Sequence, residues 1–404
     1  MLWHLVLFSA CPICAALRTF TPAAFLIKRQ IGQLGFATEV EWQYSRDGAA
    51  VAPNPLDPAQ PKRTVEASGI SVRLFDAALD DGTRILLKEF IGDARSIGKN
   101  EIDVYQLLYD NAKAAGRPPP SEVGQLLGTM RADSTFTSAT FQAEWAQYLS
   151  TPPPSADGLW LAFAWGSGLR PVADFARQPQ ERSWLDFDGR QAAHARAIFI
   201  KATCARILQG VSWLHGQGIV HRSLGSSSLL LSTYDQRTMP GALSVQMIDL
   251  GFACTASRLT PDDVQSALSR GASSPLDVFP FLARADDLHA LAYVLFELIL
   301  GATPPPPSPS AAGAEASPAE SRPTDVHTLK RLIEDVFDGD VCCAFRDYCS
   351  EDAEWAPAVA LLDEGEGRAG WRMMQTLVDC RNPNAPSVAD VTAQSLLDSP
   401  WFRS

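Results

Sequence analysis

The stretch Ile207–Leu231 reads ILQGVSWLHGQGIVHRSLGSSSLLL. A helix ending near His215 runs out at Gly216 and Gly218, a short apolar strand follows, and His221-Arg222 opens a loop of small polar residues. Downstream, Val245–Phe252 (VQMIDLGF) sets an acid, Asp249, and a glycine, Gly251, at the end of a second apolar strand. An isolated His-Arg pair carries no meaning; helix, loop, strand and acid in this order do.

Working outward, the first half of the chain reads as strands. Val65–Phe75 and Arg84–Phe90 flank Asp80-Asp81-Gly82-Thr83, an Asp-Gly hairpin signal. Asn100–Tyr109 has helical periodicity, with Ile102, Tyr105 and Leu108 on one face, and Val123–Met130 and Leu159–Ala164 read as further strands. Beyond Gln191 the pattern turns helical: Ile198–His215, then Asp287–Leu300, apolar almost all round and therefore a buried helix. Strands first and helices after predict an α+β chain of two unequal lobes. Three Pro-rich stretches, Ala49–Arg63, Arg131–Asp157 and Ala302–Pro323, read as linkers or insertions that cannot bury enough apolar area to fold alone.

Composition narrows the function. With 34 Lys and Arg against 46 Asp and Glu, the net charge is −12. That balance excludes nucleic acid as the main partner. Eight Cys in 404 residues are too sparse for a disulfide scaffold. Cys11-Pro-Ile-Cys14 lacks the strand-then-helix setting of a redox motif, and Cys342, Cys343 and Cys349 have no His at zinc-ligand spacing. Residues 1–48 read as a leader whose first acid is Glu39. Its acid-poor start has the character of an organelle (chloroplast or mitochondrial) transit peptide, its apolar run that of a secretory segment, and a leader with no address reads equally well, leaving a cytoplasmic chain. The apolar run from Leu2 is broken at Arg18, so no integral membrane span is expected.

The order around His221 resembles the catalytic region of the eukaryotic protein kinases: helix, His-Arg-Asp loop, Asn, then Asp-Phe-Gly. The resemblance extends over about residues 65–402, with a small β-rich lobe at about 65–164 and a larger helical lobe at about 168–402 interrupted by the insertion at 302–323. It implies that Lys88, closing Ile85-Leu-Leu-Lys, grips the α- and β-phosphates of ATP and that Glu101 on the next helix pairs with it. Leu161-Ala-Phe163-Ala-Trp165-Gly resembles the last small-lobe strand and hinge, with Phe163 as gatekeeper and Trp165 beside the adenine. Asp249 is the implied magnesium ligand. Asp287 opens the buried helix as the family's Asp-x-Trp-Ser-x-Gly does, and its implied task is to hold the catalytic-loop backbone. Arg381-Asn-Pro resembles the end of the large lobe.

The chain departs from the family where the chemistry lies. After His221-Arg222 the family's Asp is Ser223, its Lys is Gly225, and its magnesium-binding Asn is Ser228, a weaker neutral ligand. The phosphate-cradling glycine loop is reduced to Glu66-Ala-Ser-Gly69-Ile-Ser-Val72, with one glycine. The expectation is a pseudokinase, regulatory or scaffolding, acting on a protein partner and retaining ATP and Mg2+ at reduced affinity. The alternative is an atypical active Ser/Thr kinase transferring the γ-phosphoryl group to protein hydroxyls.

Overall fold

The structure is a computed structural model, and it describes residues 17–35, 71–303 apart from 132, 149–152, 156, 167, 177 and 179–189, and 325–404 apart from 383–384 and 386–387. The linker at 49–63, Cys11, Cys14, Gly69 and residues 304–323 of the insertion lie outside the described residues. The architecture is the α+β, kinase-like one: a β-rich unit of residues 1–106 and 125–165, and a larger helical unit of 107–124 and 166–404.

The β-rich unit is built on β1 (Arg18–Phe20), β2 (Phe25–Gly35), β3 (Ser71–Leu79), β4 (Arg84–Ile91), β5 (Leu126–Arg131) and β6 (Leu159–Ala164). They form one sheet in the order β1-β5-β6-β4-β3-β2. The β3–β4 turn is the one its sequence predicts. Gly82 takes the left-handed φ of 84°, and the Asp81 carboxylate accepts the Thr83 N–H at 2.8 Å. Helix α1 (Ala94–Ala114) follows β4 and carries Glu101.

One expectation is corrected in this unit and another is extended. The domain boundary at residue 65 is too late, because residues 18–35, read as part of a leader, supply two strands. β2 pairs antiparallel with β3, and β1 pairs parallel with β5. Irregularities in β2 between Ile27 and Arg29 and between Gln30 and Gly32 break the two-residue alternation that marks a strand in sequence. The stretch Arg131–Asp157, read as a linker or insertion that cannot bury enough apolar area to fold alone, holds α2 (Ser134–Thr137) and α3 (Ala139–Tyr148). It does not fold alone; it packs on the sheet. Phe136 and Trp145 are buried in one cluster with Phe75, Ile85, Leu87 and Trp160. The Trp145 and Phe75 rings meet edge-on at 5.7 Å. With helices over it, β4 is buried on both faces from Ile85 to Phe90.

The helical unit is organised around α8 (His289–Ala302), buried nearly all round as its composition predicts. Before it come β7 (Arg170–Pro171), α4 (Val172–Ala176), α5 (Arg190–Gly216), β8 (Ile219–Val220), β9 (Leu229–Leu231), β10 (Val245–Met247), β11 (Cys254–Thr255), α6 (Pro261–Ser269) and α7 (Val278–Leu282). β7, β9 and β10 form one small sheet; β8 pairs with β11. These pairings fix both ends of the loop Val220–Leu229 and place Asp249 just past β10.

Candidate functional site

In the β-rich unit the structure brings Lys88 and Glu101 together. Lys88 lies on β4 opposite Leu74 and Leu161. Its Nζ donates to Glu101 Oε1 at 2.8 Å, with both side chains at most 2% exposed. The ammonium also sits 4.8 Å from the Phe163 ring centroid, and that buried ring meets Tyr105 edge-on at 5.6 Å. The Trp165 N–H, one of the backbone groups expected beside adenine, donates to Arg84 O at 3.0 Å. On the opposite face of the sheet a second buried pair, Arg73 and Glu89, meets at 2.6 Å and ties down residues 153–155 through Pro153 O and Ser155 N–H. Burial raises the Glu89 carboxyl above its usual range against the pull of Arg73.

Sequence reasoning placed the glycine loop at Gly69. The strand that precedes β3 is β2, and it ends Gly32-Gln-Leu-Gly35. Gly69 and the connection between β2 and β3 lie outside the described residues.

In the helical unit the catalytic-like loop is held by Asp287, fully buried at the head of α8. Its carboxylate accepts the backbone N–H of His221 at 2.8 Å and of Arg222 at 2.7 Å, and His215 Nε2 lies 2.9 Å away. The contribution of His215 was not foreseen; its signal was its place on the last turn of α5. Arg222 has a left-handed φ of 63° and is anchored through Asp263 at 2.7 Å and Asp286 at 3.4 Å. Asp249 is left-handed as well, at φ 67°. Two non-glycine residues in this conformation within one loop cluster are the backbone strain found at functional sites.

His221 is buried, and its Nε2 lies 2.9 Å from Ile248 O. Burial lowers its pKa below the usual imidazole value, against the opposing pull of Asp287. Ser223 Oγ lies 3.2 Å from His221 Nδ1 and 3.3 Å from Asp249 O. Ser228 is turned inward: its hydroxyl donates to Gly225 O at 2.8 Å and accepts the Gly225 N–H at 2.9 Å. Among the described residues no group of three His, Cys, Asp or Glu could hold a metal ion. Asp277, in the stretch nearest to an Ala-Pro-Glu signature, accepts from Ser273 and faces Arg284 at 3.8 Å. Arg381 is exposed.

No family model matches the chain. Among curated proteins it is similar to 3-phosphoinositide-dependent protein kinase 1 of Rattus norvegicus, 29% identical over 106 residues, or 25% of this chain and 17% of that one. It is similar to serine/threonine-protein kinase PAK 4 of Homo sapiens, 31% identical over 107 residues (26% and 14%). It is also similar to the chloroplastic serine/threonine-protein kinase STN8 of Arabidopsis thaliana, 24% identical over 196 residues (47% and 34%). The chain is protein-kinase-like. The matches span between about a seventh and a third of those relatives' own lengths. Among solved structures, a Stt7 homologue from Micromonas algae soaked with ATP aligns at 17% identity and a TM-score of 0.49, over 82% of this kinase-like chain and 89% of that one. Among the described residues no helix of the kinase-like chain is long and apolar enough to cross a membrane.

Proposed function

We propose that this chain is a pseudokinase, a nucleotide-responsive regulatory or scaffolding module that engages a protein partner. The observation that carries the reading is the contrast between two positions. The Lys88–Glu101 pair is complete and buried, while position 223 presents a hydroxyl where phosphotransfer requires a carboxylate. A serine has no anionic form near neutral pH. Base, cation and metal ligand are each worth about 10²–10⁴ in rate, so their joint replacement by Ser223, Gly225 and Ser228 leaves turnover on protein substrates negligible.

The donor set fits a nucleotide in part. Lys88 offers a preorganised cation for phosphate oxygens, and Asp249 a carboxylate for magnesium. Ser228 does not fit as a second magnesium ligand, because its hydroxyl is engaged at Gly225. Bound ATP with magnesium would supply a transferable γ-phosphoryl group; the chain's own residues bind and orient it. An organelle address is part of this reading, on the acid-poor start of the chain and its similarity to a kinase named chloroplastic. A fluorescent fusion of residues 1–17, which precede β1, checks it.

Thermal unfolding of the full chain with and without Mg-ATP tests the nucleotide reading. Saturation at about a hundred times Kd adds about 2.7 kcal/mol, a readable shift. No shift at millimolar Mg-ATP refutes it. A second reading, an atypical active kinase, draws on one observation, the imidazole nitrogen 3.2 Å from Ser223 Oγ. Turnover of about 1–100 per second on a protein substrate, lost in Asp249→Ala, would establish it in place of the first.

A further inference from the structure

Position 223 holds more than a missing carboxylate. His221 Nε2 faces Ile248 O at 2.9 Å, and a carbonyl can only accept. The ring proton of the neutral imidazole therefore sits on Nε2, and the lone pair is on Nδ1. That lone pair lies 3.2 Å from Ser223 Oγ, whose single proton also has Asp249 O within reach at 3.3 Å, so activation requires it to turn from that carbonyl to Nδ1. Asp287 fixes the backbone N–H groups of residues 221 and 222, and the left-handed Arg222 between the two side chains is anchored on Asp263 and Asp286. A hydroxyl, a neutral imidazole within hydrogen-bond reach and an acceptor orienting the far ring nitrogen form the arrangement that activates a serine nucleophile. The other serines of the loop differ. Ser228 is closed on Gly225, and Ser226 and Ser227 make no hydrogen bond to an imidazole.

We propose that Ser223 is a nucleophile activated by His221 and that it accepts a phosphoryl group from a nucleoside triphosphate, once per chain. The Ser223 Oγ–P bond forms as the P–O bond to the departing nucleoside diphosphate breaks, and the serine proton passes to His221 Nδ1. The resulting imidazolium keeps its Nε2 hydrogen bond to Ile248 O and gains the attraction of Asp287. The product is a phosphoserine with about −1.5 to −2 charge, at the position where the kinase resemblance expects a carboxylate. The choice of donor rests on the nucleotide reading above; the nucleophile does not.

The test uses the full chain and two probes, with labelled residues mapped by peptide mass spectrometry. A fluorophosphonate, which needs no nucleotide site, reports the nucleophile. Mg-ATP reports the donor. General-base assistance predicts fluorophosphonate labelling of Ser223 about 10²-fold faster than of Ser226 or Ser227, lost in Ser223→Ala and slowed in His221→Gln. Comparison within the wild-type loop needs no variant to fold. Labelling of Ser223 no faster than of its neighbours, in protein that melts cooperatively, overturns the proposal whatever ATP does. Fluorophosphonate labelling with a nucleotide shift but no phosphate on Ser223 overturns the donor alone. Labelling with neither shift nor phosphate keeps the nucleophile and overturns the donor together with the nucleotide reading. Phosphate from Mg-ATP on Ser223, with labelling, upholds both.

Discussion

Removing Glu101 from beneath Lys88 should destabilise the β-rich unit far more than removing both residues. The ammonium and carboxylate meet at 2.8 Å with at most 2% of either side chain exposed. Glu101→Leu leaves a buried cation without its carboxylate, a change worth about 3–5 kcal/mol. The Phe163 ring, 4.8 Å from Nζ, returns only about 0.5–2 kcal/mol of that. Lys88→Met takes the ammonium away from the buried carboxylate at similar expense. The double variant Lys88→Met/Glu101→Leu replaces the pair by apolar groups of like volume and should fall within about 1 kcal/mol of wild type, or above it. At roughly 2–4 °C per kcal/mol, each single variant melts about 10 °C lower. Urea unfolding of the four proteins, read as a double-mutant cycle, gives the coupling directly. Singles that unfold within about 1 kcal/mol of wild type would refute the reasoning, because the pair would then be solvated. The cycle also has a practical consequence. Lys88→Met is the natural control for nucleotide binding, yet it carries its own loss of stability, so the double variant is the cleaner baseline.

Three further outcomes follow from other parts of the molecule. Gly128→Ala should detach β1, since a Cβ there would lie 2.0 Å from Arg18 O; faster hydrogen exchange at residues 18–20 and a loss of about 1–3 kcal/mol check it. Asp287→Ala removes the acceptor for two loop N–H groups, and the amides of His221 and Arg222 should exchange about 10²-fold faster, measured site by site. Burial pushes the Glu334 carboxyl up, but hydrogen bonds from His289 and Tyr293 outweigh it and bring it down to about 2. A depressed folded-state pKa stabilises above the unfolded value of 4.5, so this contribution should be lost as pH falls from 4.5 toward 2. In Glu334→Gln that portion of the acid limb of a pH-stability curve should flatten.

Local chemistry was legible in the sequence; long-range pairing was not. The Asp81-Gly82 turn, the helix ending near His215 and the wholly apolar α8 announce themselves through nearest neighbours and periodicity. Lys88, Glu101 and Asp287 were singled out by the kinase resemblance, each beside an element that local pattern marks. β1 and β2 escaped because their composition, acid-poor up to Glu39, resembles a leader and because two register shifts erase the alternation of β2. Helices α2 and α3 were hidden by the Pro-rich tail of their segment, although Phe136, Phe141 and Trp145 within it were a sign of packing. The contact between His221 and Ser223 depends on ring orientation, which no spacing rule reports.

The parallel pairing of β1 with β5 sets a timetable for synthesis. Arg18 leaves the ribosome early, but its partner Gly128 is made roughly a hundred residues later, an interval of about 5–20 s at ordinary elongation rates. β5 is itself sandwiched between β1 and β6, so the edge closes only after Leu159–Ala164 has emerged. Throughout that wait β1 is a nascent segment without its sheet, which is the form a chaperone meets. The order of translation thus leaves β1 without a partner strand first and makes it a sheet edge only later.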